Sequence, residues 1–173
     1  MSKRELKKYT KELTKKQLEE QIIELYEKFK EVKEYYDFVF NPQEEKLIEE
    51  CKTKLLKEYF PTRAKRSKMR RSTITNYVKH FSRLGVEPHL IADIMLYNIE
   101  VAQKYKAKYS WVKASFYPNN LKCYQETIQY ITANKMKNDF SYRLEKISQL
   151  AQEQNWENKL NFADIFDEFK NGN

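Results

Sequence analysis

The chain has 173 residues, and its 40% hydrophobic and 14% aromatic content is too high for a disordered chain and sufficient for a core without disulfides. Glycine (2) and proline (4) are scarce while 34% of the residues are charged, which excludes a hairpin-rich β fold and favours helices. The formal net charge of +8 comes from residues 59–86, which contain eight basic and no acidic side chains; residues 1–58 and 87–173 are each balanced.

The first two predicted helices begin with capping boxes. Ser2 and Glu5 form one box, and Thr14 and Gln17 form the other. After Thr14, apolar residues recur at steps of four and three as far as Tyr36, which predicts a single long second helix with one apolar seam.

The middle of the chain predicts a helix pair and a loop. The short Asn41-Pro42 joint favours folding a third helix back on the second as an antiparallel pair, and Pro61 ends this third helix. Residues 61–72 follow as an exposed basic loop. A fourth helix begins near Ser72 and is closed by Gly85.

The remainder predicts four more helices. The fifth begins at Pro88 and is apolar on nearly every side, as a central buried helix is. The sixth follows Ser115, the seventh follows a break at residues 134–138, and a last short helix has an aromatic face that docks on the body. The fold prediction is therefore all-α: a single domain over residues 1–173, an irregular bundle of about seven to eight helices built from antiparallel pairs.

The basic loop and the helix after it contain the candidate site. Eight cations are candidate ligands for an anionic partner: Arg63, Lys65, Arg66, Lys68, Arg70, Arg71, Lys79 and Arg83. Such a cluster cannot be buried without partners. Arg70 and Arg71 precede a helix N-terminus, where free amides and the helix dipole favour an anion, and Lys79 and Arg83 extend the positive charge along the helix. The pattern predicts a surface that follows the phosphates of RNA or DNA.

Two alternatives stand beside this interpretation. Basic loops are commonly solvated, or neutralised by acids from the second and third helices. A second acid-free stretch, residues 101–125, alternates lysines with aromatic residues such as Tyr109 and Trp111, as single-strand binders do. Most of these rings are expected in the core because they lie at helical spacing.

Catalytic and metal-binding patterns are absent from the sequence. Arg83 and His89 have the loose Arg-x4–6-His spacing that resembles HEPN-type ribonucleases, but Gly85 and Pro88 interrupt the helix between them. The two histidines and two cysteines are scattered, which predicts no metal site, and two glycines exclude a glycine-rich phosphate loop. We therefore expect a protein that is not an enzyme and has no cofactor.

The cellular setting is predicted from two features that the sequence lacks, a signal peptide and a membrane span. Its N-terminus leads into charged helix, and no apolar run approaches the ~18 residues of a membrane span. Cys51 and Cys123 are therefore expected to be reduced thiols. We expect a soluble, cytoplasmic protein that does not enter a membrane.

Five segments carry a resemblance to a known family. They are Lys3-Arg4-Glu5-Leu6, KEYYDFVFNPQE at 33–44, KEYFP at 57–61, Arg70-Arg71-Ser72 and KHFSRLGVEPHLIADIMLYNIEVAQ at 79–103. These segments resemble a family of small, uncharacterised bacterial proteins that share a domain of unknown function. The likeness extends over residues 3–103 and fades after them. It implies a bacterial cytoplasmic setting and no reaction, cofactor or functional residue.

Together these observations predict a helical module without catalysis that binds an anionic partner, such as RNA, DNA or an acidic protein, through the basic loop and the adjoining helix face. The alternative is a protein-interaction or scaffolding module with no nucleic-acid role, which would use the long second helix or the aromatic last helix.

Overall fold

A computed structural model of the chain describes residues 2–62 and 66–172. Within these residues the chain forms nine α-helices and no strand, which confirms the all-α prediction. Two compact units divide the chain, residues 1–43 and 44–173. The first contains α1 (Lys3–Glu12), α2 (Lys15–Lys28) and α3 (Lys30–Phe40). The second contains α4 (Glu44–Tyr59), α5 (Arg71–Leu84), α6 (Pro88–Lys108), α7 (Phe116–Ala133), α8 (Lys137–Glu153) and α9 (Lys159–Asn171). That the units form one domain stays a prediction.

The first unit begins its helices as the sequence predicts. Ser2 Oγ accepts a hydrogen bond from the Glu5 amide, and the Ser2 amide donates to the Glu5 carboxylate in return. Thr14 and Gln17 make the same reciprocal pair at the start of α2. Both capping boxes are confirmed.

The prediction of a single long second helix is wrong, because the chain turns a corner at Phe29. Phe29 has extended backbone angles, φ −119° and ψ 116°, and separates α2 from α3. Tyr26 Oη donates to Asp37 Oδ1 at 2.8 Å across the corner, although residues so far apart on a straight helix would be separated by about 16 Å. Apolar spacing continues through Phe29 with no glycine or proline, so the local pattern did not indicate the break. Within the first unit, α3 packs against α2.

The second unit is built around α6, as predicted for the fifth helix. This helix packs against α4, α5, α7 and α8, and its Ile94, Leu96 and Ile99 are fully buried. The last helix, α9, packs on α7 and α8 with a face of buried phenylalanines, which confirms that it docks on the body. Gly85 ends α5 with φ +84°, the left-handed conformation expected there.

Charged residues join three helices at the side of α6. Asp93 of α6 accepts from Lys52 of α4 at 2.9 Å and from Arg143 of α8 at 2.6 Å, and Arg143 also donates to Glu100 at 3.0 Å. Burial alone would raise the pKa of Asp93, but the hydrogen bonds from Lys52 and Arg143 outweigh it and hold the pKa below its ordinary value.

Candidate nucleic-acid interface

The segment before α5 is held by the end of α4. The amides of Lys68 and Met69 donate to the main-chain carbonyl of Glu58 at 2.8 and 3.1 Å, and Ser67 Oγ donates to the Tyr59 carbonyl at 2.6 Å. Met69 is buried and has a positive φ of 52°. This half of the predicted loop is therefore fixed in place, with the side chains of Arg66 and Lys68 exposed.

The eight predicted site residues fall into four pairs by location. Arg63 and Lys65 lie outside the described residues. Arg66 and Lys68 are exposed before α5, and Arg70 and Arg71 lie at its first turn. Lys79 and Arg83 are exposed on α5, and within the described part of the chain neither forms an ion pair.

Arg70 is engaged by a carboxylate of the chain itself. Its Nη2 and Nε donate to the two oxygens of Glu58 at 2.6 and 3.2 Å, and its amide also donates to Glu58 Oε2 at 3.2 Å. Burial alone would raise the pKa of Glu58, but the hydrogen bonds and charge of Arg70 outweigh it and keep the pKa below its ordinary value. A carboxylate of the chain itself therefore lies at the start of α5, where the sequence predicts an external anion.

Arg71 is engaged in the same way by a more distant helix. Its Nη2 donates to Glu126 Oε1 of α7, and both side chains are about two-thirds buried. The two arginines that were predicted to receive an external anion are therefore internally paired. Only one of their partners, Glu58, belongs to a helix from which neutralising acids were expected; Glu126 comes from α7.

A basic trough runs between the end of α4 and the start of α5, with a volume of about 430 Å³. Five cations line it: Lys54, Lys57, Arg66, Lys68 and Arg70. The one carboxylate among its lining residues is that of Glu58, which Arg70 neutralises. Lys54 and Lys57 are exposed on successive turns of α4, so the trough presents unneutralised charge to an anion.

An aromatic cleft of about 630 Å³ adjoins the trough and shares Pro61 and Arg66 with it. Its lining includes five aromatic residues, one arginine and no carboxylate: Tyr59, Phe60, Pro61, Arg66, Ser67, Tyr105, Tyr109 and Trp111. The volume lies within the range of about 300 to 1,000 Å³ that is typical of ligand pockets.

The cleft is where the two acid-free stretches of the sequence meet. Phe60 and Arg66 come from the first stretch, and Tyr105, Tyr109 and Trp111 come from the second. Lys113 Nζ donates to the main-chain carbonyl of Lys68 at 2.8 Å, which ties the stretches together beside the cleft. The second stretch also contains core residues, as expected, because Phe116 and Tyr117 are buried.

Sequence reasoning missed two parts of this surface. Lys54 and Lys57 belong to a segment whose charges balance overall, so counting by segment hid them, although both lie one helical turn apart and close to the loop. The contact between the two acid-free stretches depends on the tertiary fold, and no local pattern in the sequence could have indicated it.

The described residues contain no grouped metal ligands, no disulfide and no membrane-spanning helix. Over residues 2–62 and 66–172, no three His, Cys, Asp or Glu side chains are grouped so that they could hold a metal ion. Cys51 and Cys123 are free and buried, and burial raises the pKa of their thiols to about 12 and about 11. Each helix within the same ranges is too short or too polar to cross a membrane.

Comparison with known protein families identifies a match. The model of a family of unknown function, DUF6155, matches residues 1–170, so the likeness extends well beyond residue 103, where the sequence resemblance was expected to fade. No curated protein and no solved structure matches the chain.

Proposed function

Because the chain belongs to DUF6155, a family whose function is unknown, we propose a function from its surface alone: it binds nucleic acid as a non-enzymatic module, through the phosphates. The observation that carries the proposal is the basic trough, where Lys54, Lys57, Arg66 and Lys68 have no ion pair with the described carboxylates. Phosphates are the partners that such exposed cations attract and that release counterions on binding.

The centre of the proposed surface differs from the one that the sequence suggests. Arg70 and Arg71 contribute less than the sequence suggests, since each is paired with a carboxylate. The contacts to phosphate come from the lysines at the end of α4 and from Arg66 and Lys68. Lys79 and Arg83 add positive charge further along α5 and contribute less.

The test is a salt titration with a fluorescein-labelled oligonucleotide of about 15 nucleotides, followed by anisotropy. About four phosphate contacts give a log–log slope of affinity against salt near −3. The triple variant Lys54→Ala, Lys57→Ala, Lys68→Ala is expected to make this slope shallower by about 2 units and to weaken binding at least about tenfold at low salt.

The matched control removes three exposed lysines outside both acid-free stretches, Lys46→Ala, Lys146→Ala and Lys170→Ala. It lowers the net charge equally, so it is expected to change the slope little. A further variant, Lys79→Ala with Arg83→Ala, measures the share of the α5 face. If the trough variant and the control variant had equal effects, the binding would be general charge attraction and the trough would not be the site. Absence of binding at about 50 mM salt would contradict the proposal.

A protein-interaction role is the second candidate, and one observation favours it. Large exposed apolar side chains are concentrated in the first unit, among them Ile23, Phe29 and Phe40. Such side chains mark contact surfaces when they are contiguous. A partner bound there would be retained when the trough lysines are replaced and would show little dependence on salt.

A further inference from the structure

We propose that the aromatic cleft receives unstacked bases, so that the ligand of this surface is single-stranded RNA or DNA and not a duplex. The inference rests on the proposed function, because the basic trough would hold the phosphates of the same strand. It assigns a binding site to the bases, which the trough does not contact.

The rings of the cleft form a floor and a rim. Tyr59 and Tyr105 are buried, and their ring centroids lie 6.0 Å apart. Phe60 packs edge-on against Tyr105 at 5.6 Å, and Tyr109 packs against Tyr105 at 4.8 Å. The floor is therefore fixed by ring contacts, which gives a base a preformed apolar surface.

The rim is formed by two exposed rings. Tyr109 is 41% and Trp111 is 62% exposed, and no other described aromatic ring packs against Trp111. A single exposed ring is common on protein surfaces. An exposed indole beside a second exposed ring, at the mouth of an aromatic cleft, offers a free face for stacking.

The backbone near Trp111 is held by lysines. Lys106 Nζ donates to the Ser110 carbonyl at 3.0 Å on one side of Trp111, and Lys113 Nζ donates to the Lys68 carbonyl at 2.8 Å on the other. The backbone that carries the indole is thus attached to both α6 and the basic loop without a ligand.

Charge decides what the cleft binds. Arg66 lines both the cleft and the trough, so one arginine connects the aromatic surface with the cations of α4. A nucleotide has the same arrangement, a flat base joined to a phosphate. An apolar peptide would fit the rings but gain nothing from the trough, and a duplex would fit the trough but keep its base faces stacked inside.

The chain supplies its own reporter for the test. It has two tryptophans; Trp111 is exposed at the rim, whereas Trp156 is 1% exposed and packed among Phe116, Tyr117 and Phe162. A base that stacks on Trp111 quenches the fluorescence of that indole alone. The experiment titrates the full chain with single-stranded RNA, single-stranded DNA, a DNA duplex of equal phosphate number, and inorganic polyphosphate.

We expect both single strands to bind more tightly than the duplex and to quench the fluorescence, and polyphosphate to bind without quenching. Trp111→Phe removes the signal but keeps a stacking ring, so anisotropy still detects tight binding. Trp111→Ala weakens single-strand binding about 5- to 150-fold, the effect of losing one stacked base, and leaves polyphosphate binding unchanged. Tyr142→Ala, which removes a ring 73% exposed on α8, is the matched control and changes neither.

The outcomes separate this inference from the proposed function. Salt-dependent oligonucleotide binding without quenching, and without loss in Trp111→Ala, would overturn the aromatic site and leave the basic trough standing. Equal affinity for the duplex and the single strands would overturn it as well. If no nucleic acid binds while polyphosphate does, both proposals fail and the trough is a general anion surface.

Discussion

At the scale of single residues, Glu58 controls how much positive charge the basic trough presents. Its side chain is buried, and its carboxylate accepts hydrogen bonds from the main chain and the guanidinium of Arg70. Its main-chain carbonyl accepts from Lys68 and Met69, so the same residue fixes the loop. An acid therefore fills the place at the start of α5 that an external phosphate would otherwise take.

Glu58→Gln tests the role of the side-chain charge alone, because the main-chain carbonyl that holds the loop is unchanged. The variant keeps the size of the side chain but loses the charge that holds Arg70, so we expect the free energy of unfolding to fall by about 1 to 3 kcal/mol. The freed Arg70 becomes available to phosphate, so oligonucleotide affinity rises and the salt slope steepens by about 0.7 to 0.9 units. Urea denaturation and anisotropy measure the two effects.

The control is Glu50→Gln, which changes the net charge equally at an exposed position of the same helix. It is expected to alter both quantities little. If Glu58→Gln lowers stability without a gain in affinity over the control, then Arg70 does not lie where the ligand binds, and the trough needs another explanation.

At the scale of elements, the corner at Phe29 is the feature with no local signal. Phe29 precedes the first residue of α3, and no side chain caps that helix. Serine at such a position accepts a hydrogen bond from the first turn, whereas alanine does not. Inside a continuous helix the order reverses, because alanine is the better helix former.

The pair Phe29→Ser and Phe29→Ala therefore tests the corner, since both variants lose the same ring. With the corner present, we expect Phe29→Ser to be more stable than Phe29→Ala by about 1 kcal/mol. Hydrogen exchange of the amides of residues 30–40 measures the difference. A more stable alanine variant would mean that α2 and α3 form one helix in solution.

The fold could be predicted where local chemistry decides it. Ser2 and Thr14 begin helices because their side chains accept hydrogen bonds from nearby amides. The central position of α6 follows from its own apolar residues, which occupy nearly every side of the helix. The site was only partly predictable, because pairing is not local. Glu58 lies 12 residues from Arg70, and Glu126 lies 55 residues from Arg71, so charge counting identified the basic stretch but not which of its members are already paired.

At the scale of the whole molecule, these contacts leave the net charge of +8 unchanged but alter which cations are unpaired. Pairing with Glu58 and Glu126 removes Arg70 and Arg71 from the exposed excess. Lys54 and Lys57, from a segment that is neutral by count, join Arg66 and Lys68 in the trough. The positive surface therefore depends on α4 as much as on the loop, so the packing that holds α4 in place also maintains the surface.

Beside this packing, Asp93 of α6 joins α4 to α8 through charge, since it binds Lys52 of α4 and Arg143 of α8. Its lowered pKa means that its contribution to stability is complete above the ordinary carboxyl value of about 4 and is lost as the pH falls through the lower value of the folded state. We expect Asp93→Asn to reduce the free energy of unfolding by about 1 to 3 kcal/mol at neutral pH.

The difference between Asp93→Asn and the unaltered chain is expected to shrink as the solution is acidified below about pH 4, because protonation then removes the same charge from the unaltered protein. Urea denaturation over that range measures it, and Asp164→Asn, at an exposed position of α9, is the control that leaves the pH profile unchanged. A difference that stays constant with pH would show that Asp93 stabilises the helices by shape and hydrogen bonding alone.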